Sequence, residues 1–272
     1  MNNQFNASLL FRIDAFLLVS ILFFLMLICI RIGSAWGKKQ KSKLEYYENP
    51  ANNTIYGAVF ALLAFLLAFT FGMSGNRFDA RRHATIEEAN AIGTAILRTG
   101  LYPDPDRAIF RNDIKNYLQA RIDYLTVGTD VAKQIKADSQ ALFYASALWD
   151  HALQFSQKNP SVIISGQMIP ALNEMFDDAT TTTYNELMRV PDSIVIMLFT
   201  LMLICAFFIG YISEGKGRFD WYTGIGFCLL SALVLFITLD LDRPRRGLIK
   251  LDTSLQSIVL LMDQFDKKEV TK

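Results

Sequence analysis

The sequence predicts an all-α membrane protein with four transmembrane helices and a helical bundle inserted between the second and third. Three observations carry this prediction. Four apolar runs lie at approximately residues 11–32, 55–75, 194–212 and 221–239. Each meets the length of ~20 residues that a helix needs to cross a hydrocarbon core of ~30 Å. The runs are split two and two around the polar stretch 76–190. That stretch has helical spacing of its apolar residues and no alternating strand pattern of useful length.

Composition narrows the function classes. The chain has 272 residues, is 52% hydrophobic and contains 21 Phe. Charges cluster between the runs and are sparse inside them, so the pattern points to membrane rather than to a large soluble core. A net charge of +1 gives no case for nucleic acid, which needs a basic surface. Cys29, Cys205 and Cys228 all fall in apolar runs, where they read as small apolar residues. His83 and His151 are too few and too dispersed for a metal cluster. No nucleophile elbow, phosphate loop, metal-ligand spacing or Cys/His pair occurs. No enzyme activity, cofactor or metal is therefore expected.

The first run differs from a signal peptide. Arg12 and Asp14 precede it in place of a basic segment, and it exceeds a usual signal core, so it reads as a retained span. Lys38, Lys39, Lys41 and Lys43 form an anchoring belt after it, and Pro50, Asn52 and Asn53 mark the turn into span two. Span two does not stop at the membrane. The alanine-rich, proline-free sequence through Arg98 propagates one long helix from about Thr54 to Arg98. Pro103 and Pro105, with Asp104 and Asp106, end it and cap the next element. Helices follow at Arg107–Leu125, broken by Gly128, at Asp130–Lys158, stopped by Asn159-Pro160, and at Ile163–Asp178. Thr180–Thr183 reads as a polar break or a continuation. Asp192 or Ser193 caps span three. Glu214–Asp220 turns into span four, which opens on the aromatic anchor Trp221-Tyr222. A short amphipathic helix is expected in the tail, with Leu255, Ile258, Val259, Met262 and Phe265 toward one face. The expected domains are thus a membrane pair at 1–75, a bundle at 76–190, a second membrane pair at 191–240 and a charged tail at 241–272.

Four spans put both termini and the bundle on one side of the membrane. Lys and Arg near the span ends divide almost evenly between the two sides, so the positive-inside rule leaves the side of the bundle open. Charged residues are expected to be absent from the span interiors, which argues against a proton-coupled transporter.

Three constellations stand out. In span two, Gly57, Ala61, Ala64, Ala68, Gly72 and Gly75 recur at steps of three and four and share one helical stripe. The commoner use of such a stripe is helix packing within the protomer; the other is an oligomer- or pore-facing surface. Beside it Phe65, Phe69 and Met73 follow i, i+4, i+8 spacing, and several copies around an axis would form an apolar ring that gates by dewetting. A lone Phe column more often faces lipid. Second, Arg77, Asp79, Arg81 and Arg82 leave span two on the side where Asp240, Asp242, Arg243, Arg245 and Arg246 leave span four. The ordinary reading is a structural salt-bridge network; the functional one is an ion-attracting vestibule or a lipid-headgroup site. Third, the adjacent Glu87 and Glu88 point about 100° apart on a helix, a poor general acid/base pair and more naturally a solvated or bundle-pairing face.

The segments Ala64-Phe65-Leu66-Leu67-Ala68-Phe69-Thr70-Phe71, Arg77-Phe78-Asp79-Ala80-Arg81-Arg82, Glu88-Ala89-Asn90-Ala91-Ile92-Gly93-Thr94-Ala95 and Asp240-Leu241-Asp242-Arg243-Pro244-Arg245-Arg246-Gly247 resemble the bacterial bestrophin-like domain family. The resemblance covers most of the chain from span two onward. It implies kinship with bestrophins, pentameric anion channels with an apolar neck on the second span and a cytosolic helical domain. Phe65, Phe69 and Met73 have the spacing of that neck. Arg77-Phe78-Asp79-Ala80-Arg81-Arg82 stands where true bestrophins carry a tryptophan-rich segment. The expected protein is a multi-pass protein of the cell (inner) membrane. It is a homo-oligomer, a pentamer by the resemblance, with membrane lipids and inorganic ions as partners. Two functions fit: a channel-like pore, perhaps for anions by the resemblance, or a non-conducting scaffold or sensor whose bundle binds a partner or lipid.

Overall fold

The computed structural model describes residues 13–41, 50–159, 162–213, 221–249 and 251–266. Among the described residues the secondary structure is entirely helical. The helices are α1 (Ala15–Lys41), α2 (Pro50–Arg98), α3 (Asp106–Thr126), α4 (Val131–Lys158), α5 (Val162–Leu187), α6 (Asp192–Ser213), α7 (Trp221–Leu241), α8 (Asp252–Val259) and α9 (Asp263–Asp266). Four of the helical stretches are long and apolar enough to cross a membrane. The chain divides into two compact units: residues 13–77 with Arg189–Arg243, and Phe78–Met188 with residues 244–266.

The first unit is built from α1, the first part of α2, α6 and α7. Hydrocarbon supplies no hydrogen bonds, so the backbone must satisfy itself as helix. Three hydroxyls in the apolar helices do the same: Thr70, Thr200 and Thr238 donate to the carbonyls of Leu66, Ile196 and Val234 at 2.7–2.9 Å. Asp14 caps α1, accepting from the Phe16 amide at 2.8 Å. The core is apolar side chains and two thiols: Leu22, Met26 and Ile30 of α1, Leu198, Met202 and Cys205 of α6, and Cys228 of α7. The helices α1 and α6 approach most closely at two glycines. A Cβ on Gly33 would lie 2.1 Å from the Phe207 carbonyl oxygen, and one on Gly210 would lie 2.0 Å from that of Ile30. Only glycine permits this approach.

The helix α1 runs through Lys38, Lys39 and Lys41, so the expected lysine belt continues the helix beyond the apolar run. Arg31 lies in the latter half of α1, at the end of that run. Lys43 and the Glu214–Asp220 turn lie outside the described residues.

The second unit is the bundle: the distal part of α2, then α3, α4 and α5, with α8 and α9. Its core gathers Ile92 and Ala95 of α2, Ile114 and Leu118 of α3, Leu148 and Ala152 of α4, and Leu172 and Met175 of α5. Tyr102 packs its ring 4.2 Å from Phe110 and 4.6 Å from Phe155. Gly128 separates α3 from α4 with φ +69°, a left-handed conformation that favours glycine. Asp130 then caps α4 through the amides of Ala132 and Lys133 at 3.1 and 3.2 Å. The residue at the start of α3 is Pro105, which offers no side-chain cap; Pro103 and Pro105 carbonyls take the first amides instead, a departure from the expected Asp cap. The helix α5 does not stop at Asp178. Thr180 and Thr183 turn their hydroxyls back onto the carbonyls of Phe176 and Ala179, which lets a polar run stay helical through Leu187. In the tail, Ile258 and Phe265 are buried in the core and Leu255 and Met262 pack against it. Val259 points outward, so the expected apolar face lacks one member.

Candidate functional site

The helix α2 presents two faces over its first half. Leu63, Leu67, Thr70 and Ser74 are buried inside the unit. The opposite side is bare of protein. Phe65 and Phe69 are 65% and 58% exposed, and their rings stack at 15° with centroids 6.4 Å apart. Met73 follows, half-buried. Gly57, Ala61, Ala64, Ala68 and Gly72 are exposed and Gly75 is half-buried. A Cβ on Gly57, Gly72 or Gly75 would meet no atom within 4 Å. At 100° per residue, the small stripe and the Phe column together occupy roughly half the helix circumference. The commoner reading of the stripe, packing within the protomer, is therefore not what this fold does with it. Gly33 and Gly210 take that role, and their wide separation in sequence gave no stripe to detect.

The charged constellation divides between the units. In the first, Asp240, Asp242 and Arg243 are buried. Asp242 accepts from the Val190 amide at 2.7 Å and lies 3.7 Å from the Arg77 guanidinium. Arg243 donates to the Ile13 carbonyl at 2.5 Å. These groups fix chain ends around the apolar helices. In the second unit Arg81, 1% exposed, donates to the carbonyls of Asn185 and Met188, both at 3.1 Å, and so satisfies the last turn of α5. Arg245 pairs with Glu186 and donates to the Tyr124 carbonyl at 3.0 Å. Asp79, Arg82 and Arg246 are exposed.

One buried pair escaped the sequence reading. Glu88 is 0% exposed and receives both arms of Arg121, Nε at 2.5 Å and Nη2 at 3.0 Å. Arg121 also donates to the Ala179 carbonyl at 3.2 Å and to the Thr183 hydroxyl at 3.3 Å. Burial disfavours its charge, but the charge and hydrogen bonds of Glu88 outweigh burial and raise its pKa. Burial likewise raises the hydroxyl of Tyr124, to about 12. The available signal was Arg121 itself, set among Tyr117, Leu118 and Leu125 on the apolar face of α3.

Residues 19–254 match the family model of the Bestrophin-like domain. None of the curated proteins matches. Three similar solved structures are of a bacterial bestrophin homologue from Klebsiella pneumoniae. One, a single-substitution variant, has a TM-score of 0.69 at 13% identity, covering 90% of this chain and 97% of that one. A second has a TM-score of 0.65 at 13% identity, with the same coverages of 90% and 97%. A third, another variant, has a TM-score of 0.67 at 13% identity and covers 95% and 99%. At this identity the likeness shows a shared fold.

Proposed function

The chain belongs to the Bestrophin-like family, and from that premise we propose that it is a homo-oligomeric, channel-like pore of the cell (inner) membrane that conducts inorganic anions. The observation that carries this reading is the bare face of α2. A stripe of small residues lets backbones approach closely, and lipid gives no reason to place one there. Copies of the chain around an axis cover the stripe and turn Phe65, Phe69 and Met73 inward. The eight steps of helical rise from Phe65 to Met73 make this constriction about 12 Å long. An apolar ring of that kind gates by dewetting. The family resemblance supports a pentamer, anions as the permeant species and a bundle on the cytosolic side.

Ion flux from purified protein in liposomes tests the reading. Wild-type protein is expected to pass chloride, and Phe65→Ala with Phe69→Ala is expected to raise the flux several-fold by wetting the constriction. Silence from both proteins would eliminate the pore and leave the non-conducting scaffold.

Lipid is the second partner we propose. The Arg31 guanidinium lies 4.3 Å from the Trp221 ring centroid, beside an apolar groove of about 390 Å³ lined by Phe24, Leu27 and Ile28. This arrangement suits a headgroup phosphate on Arg31 with an acyl chain along the groove. Native mass spectrometry should retain phospholipid on wild type and lose it from Arg31→Gln; equal retention would reject the site.

A further inference from the structure

The bundle contains a cavity that the pore reading does not use. It has a volume of about 180 Å³ and lies among α3, α4 and α5. Tyr117 and Arg121 line it from α3, Asp138 and Leu142 from α4, and Phe176 and Tyr184 from α5.

Its polar groups are incompletely satisfied in a patterned way. Tyr117 is 2% exposed, yet among the described residues its hydroxyl has no hydrogen-bond partner. Asp138 is half-buried and, among the described residues, has neither a hydrogen-bond donor nor a salt bridge. Both groups line the same cavity, and the Asp138 charge adds to burial in raising the Tyr117 hydroxyl. Burial raises the carboxyl, and Arg121 opposes this only in part.

The charge balance selects the ligand. Arg121 borders the cavity, but four hydrogen bonds already commit its guanidinium, two to Glu88 and one each to Ala179 and Thr183. Its positive charge is matched by the Glu88 carboxylate. Asp138 therefore remains as the uncompensated charge on the wall. The rings of Tyr117, Phe176 and Tyr184 add aromatic surface, which attracts a cation further. A volume of 180 Å³ equals roughly six waters at ≈ 30 Å³ each, room for a molecule of about six heavy atoms.

We propose that this cavity is a binding site for a small organic cation, with its ammonium or guanidinium group between the Asp138 carboxylate and the Tyr117 hydroxyl oxygen and its short apolar body against Phe176 and Leu142. The ammonium donates to both oxygens, which supplies the partners they lack. The aliphatic part displaces water from the apolar wall. The site lies within the bundle and stands independently of conduction.

Calorimetric titration of the purified full-length protein in detergent tests the proposal, with n-butylammonium as the probe. Butyrate and n-butanol serve as charge-reversed and neutral controls of the same length. Saturable binding of n-butylammonium is expected, with both controls at least tenfold weaker. Asp138→Asn keeps the shape and removes the charge, and it should weaken the probe at least tenfold. Leu142→Trp fills the cavity from its 53% exposed position without disturbing a buried group, and it should abolish binding. Thermal unfolding confirms that each variant is folded. The absence of saturable heat, equal binding of the three probes, or full binding by a folded Leu142→Trp variant would each overturn the proposal and leave a cavity that holds solvent alone.

Discussion

Replacing Glu88 with Gln would leave the Arg121 guanidinium charged and buried without its counter-ion. The pair is short at both contacts, 2.5 and 3.0 Å, and the side chains are 0% and 3% exposed, so solvent screening contributes little. Removing one partner of a buried pair costs about 3–5 kcal/mol, chiefly because the remaining charge stays desolvated. For a chain of this size each kcal/mol shifts the melting temperature by roughly 2–4 °C, so Glu88→Gln should melt about 6–20 °C below wild type. The double variant Glu88→Leu with Arg121→Met removes both charges and keeps apolar volume. It should recover most of the loss, since replacing a whole buried pair by apolar residues is often neutral. Thermal unfolding in one detergent, followed by far-UV circular dichroism, measures wild type and both variants. A Glu88→Gln melting point within about 2 °C of wild type would refute the reasoning, because it would mean that water reaches the pair.

The two glycine classes should respond in opposite ways. Gly210→Ala places a Cβ 2.0 Å from the Ile30 carbonyl oxygen and should lower thermal stability by about 1–3 kcal/mol as α1 and α6 separate. Gly72→Leu meets no atom of its own protomer, so it should leave the protomer's helicity unchanged and reduce the oligomer mass measured by light scattering; an unchanged mass would remove the stripe from the subunit contact. Asp138 provides the pH dependence. Its carboxyl is raised by burial above the ordinary value of about 3.9, so the stability it contributes is complete below that value and is lost as pH rises through its folded pKa. Asp138→Asn should therefore melt above wild type at neutral pH and converge with it near pH 4; a constant gap across that range would count against the assignment.

The sequence determined the helices because their causes are local. Apolar length sets the spans, absence of proline lets α2 run from membrane core into bundle, and Gly128 and Asp130 punctuate the bundle at the positions they mark. It also supplied the small stripe and the Phe column of the bare α2 face, since i, i+3, i+4 spacing is visible in one dimension. It did not reveal which face of α2 would be covered. That depends on where α1, α6 and α7 pack, and they leave the small stripe open while closing α1 onto α6 through Gly33 and Gly210. Nor did it reveal that Glu88 meets Arg121, or that Tyr117 and Asp138 border one cavity. Those groups lie on different helices, and their charges act only at distances that tertiary packing creates. Local periodicity fixes what each helix offers; the close approach of helices far apart in sequence decides which offers are taken up.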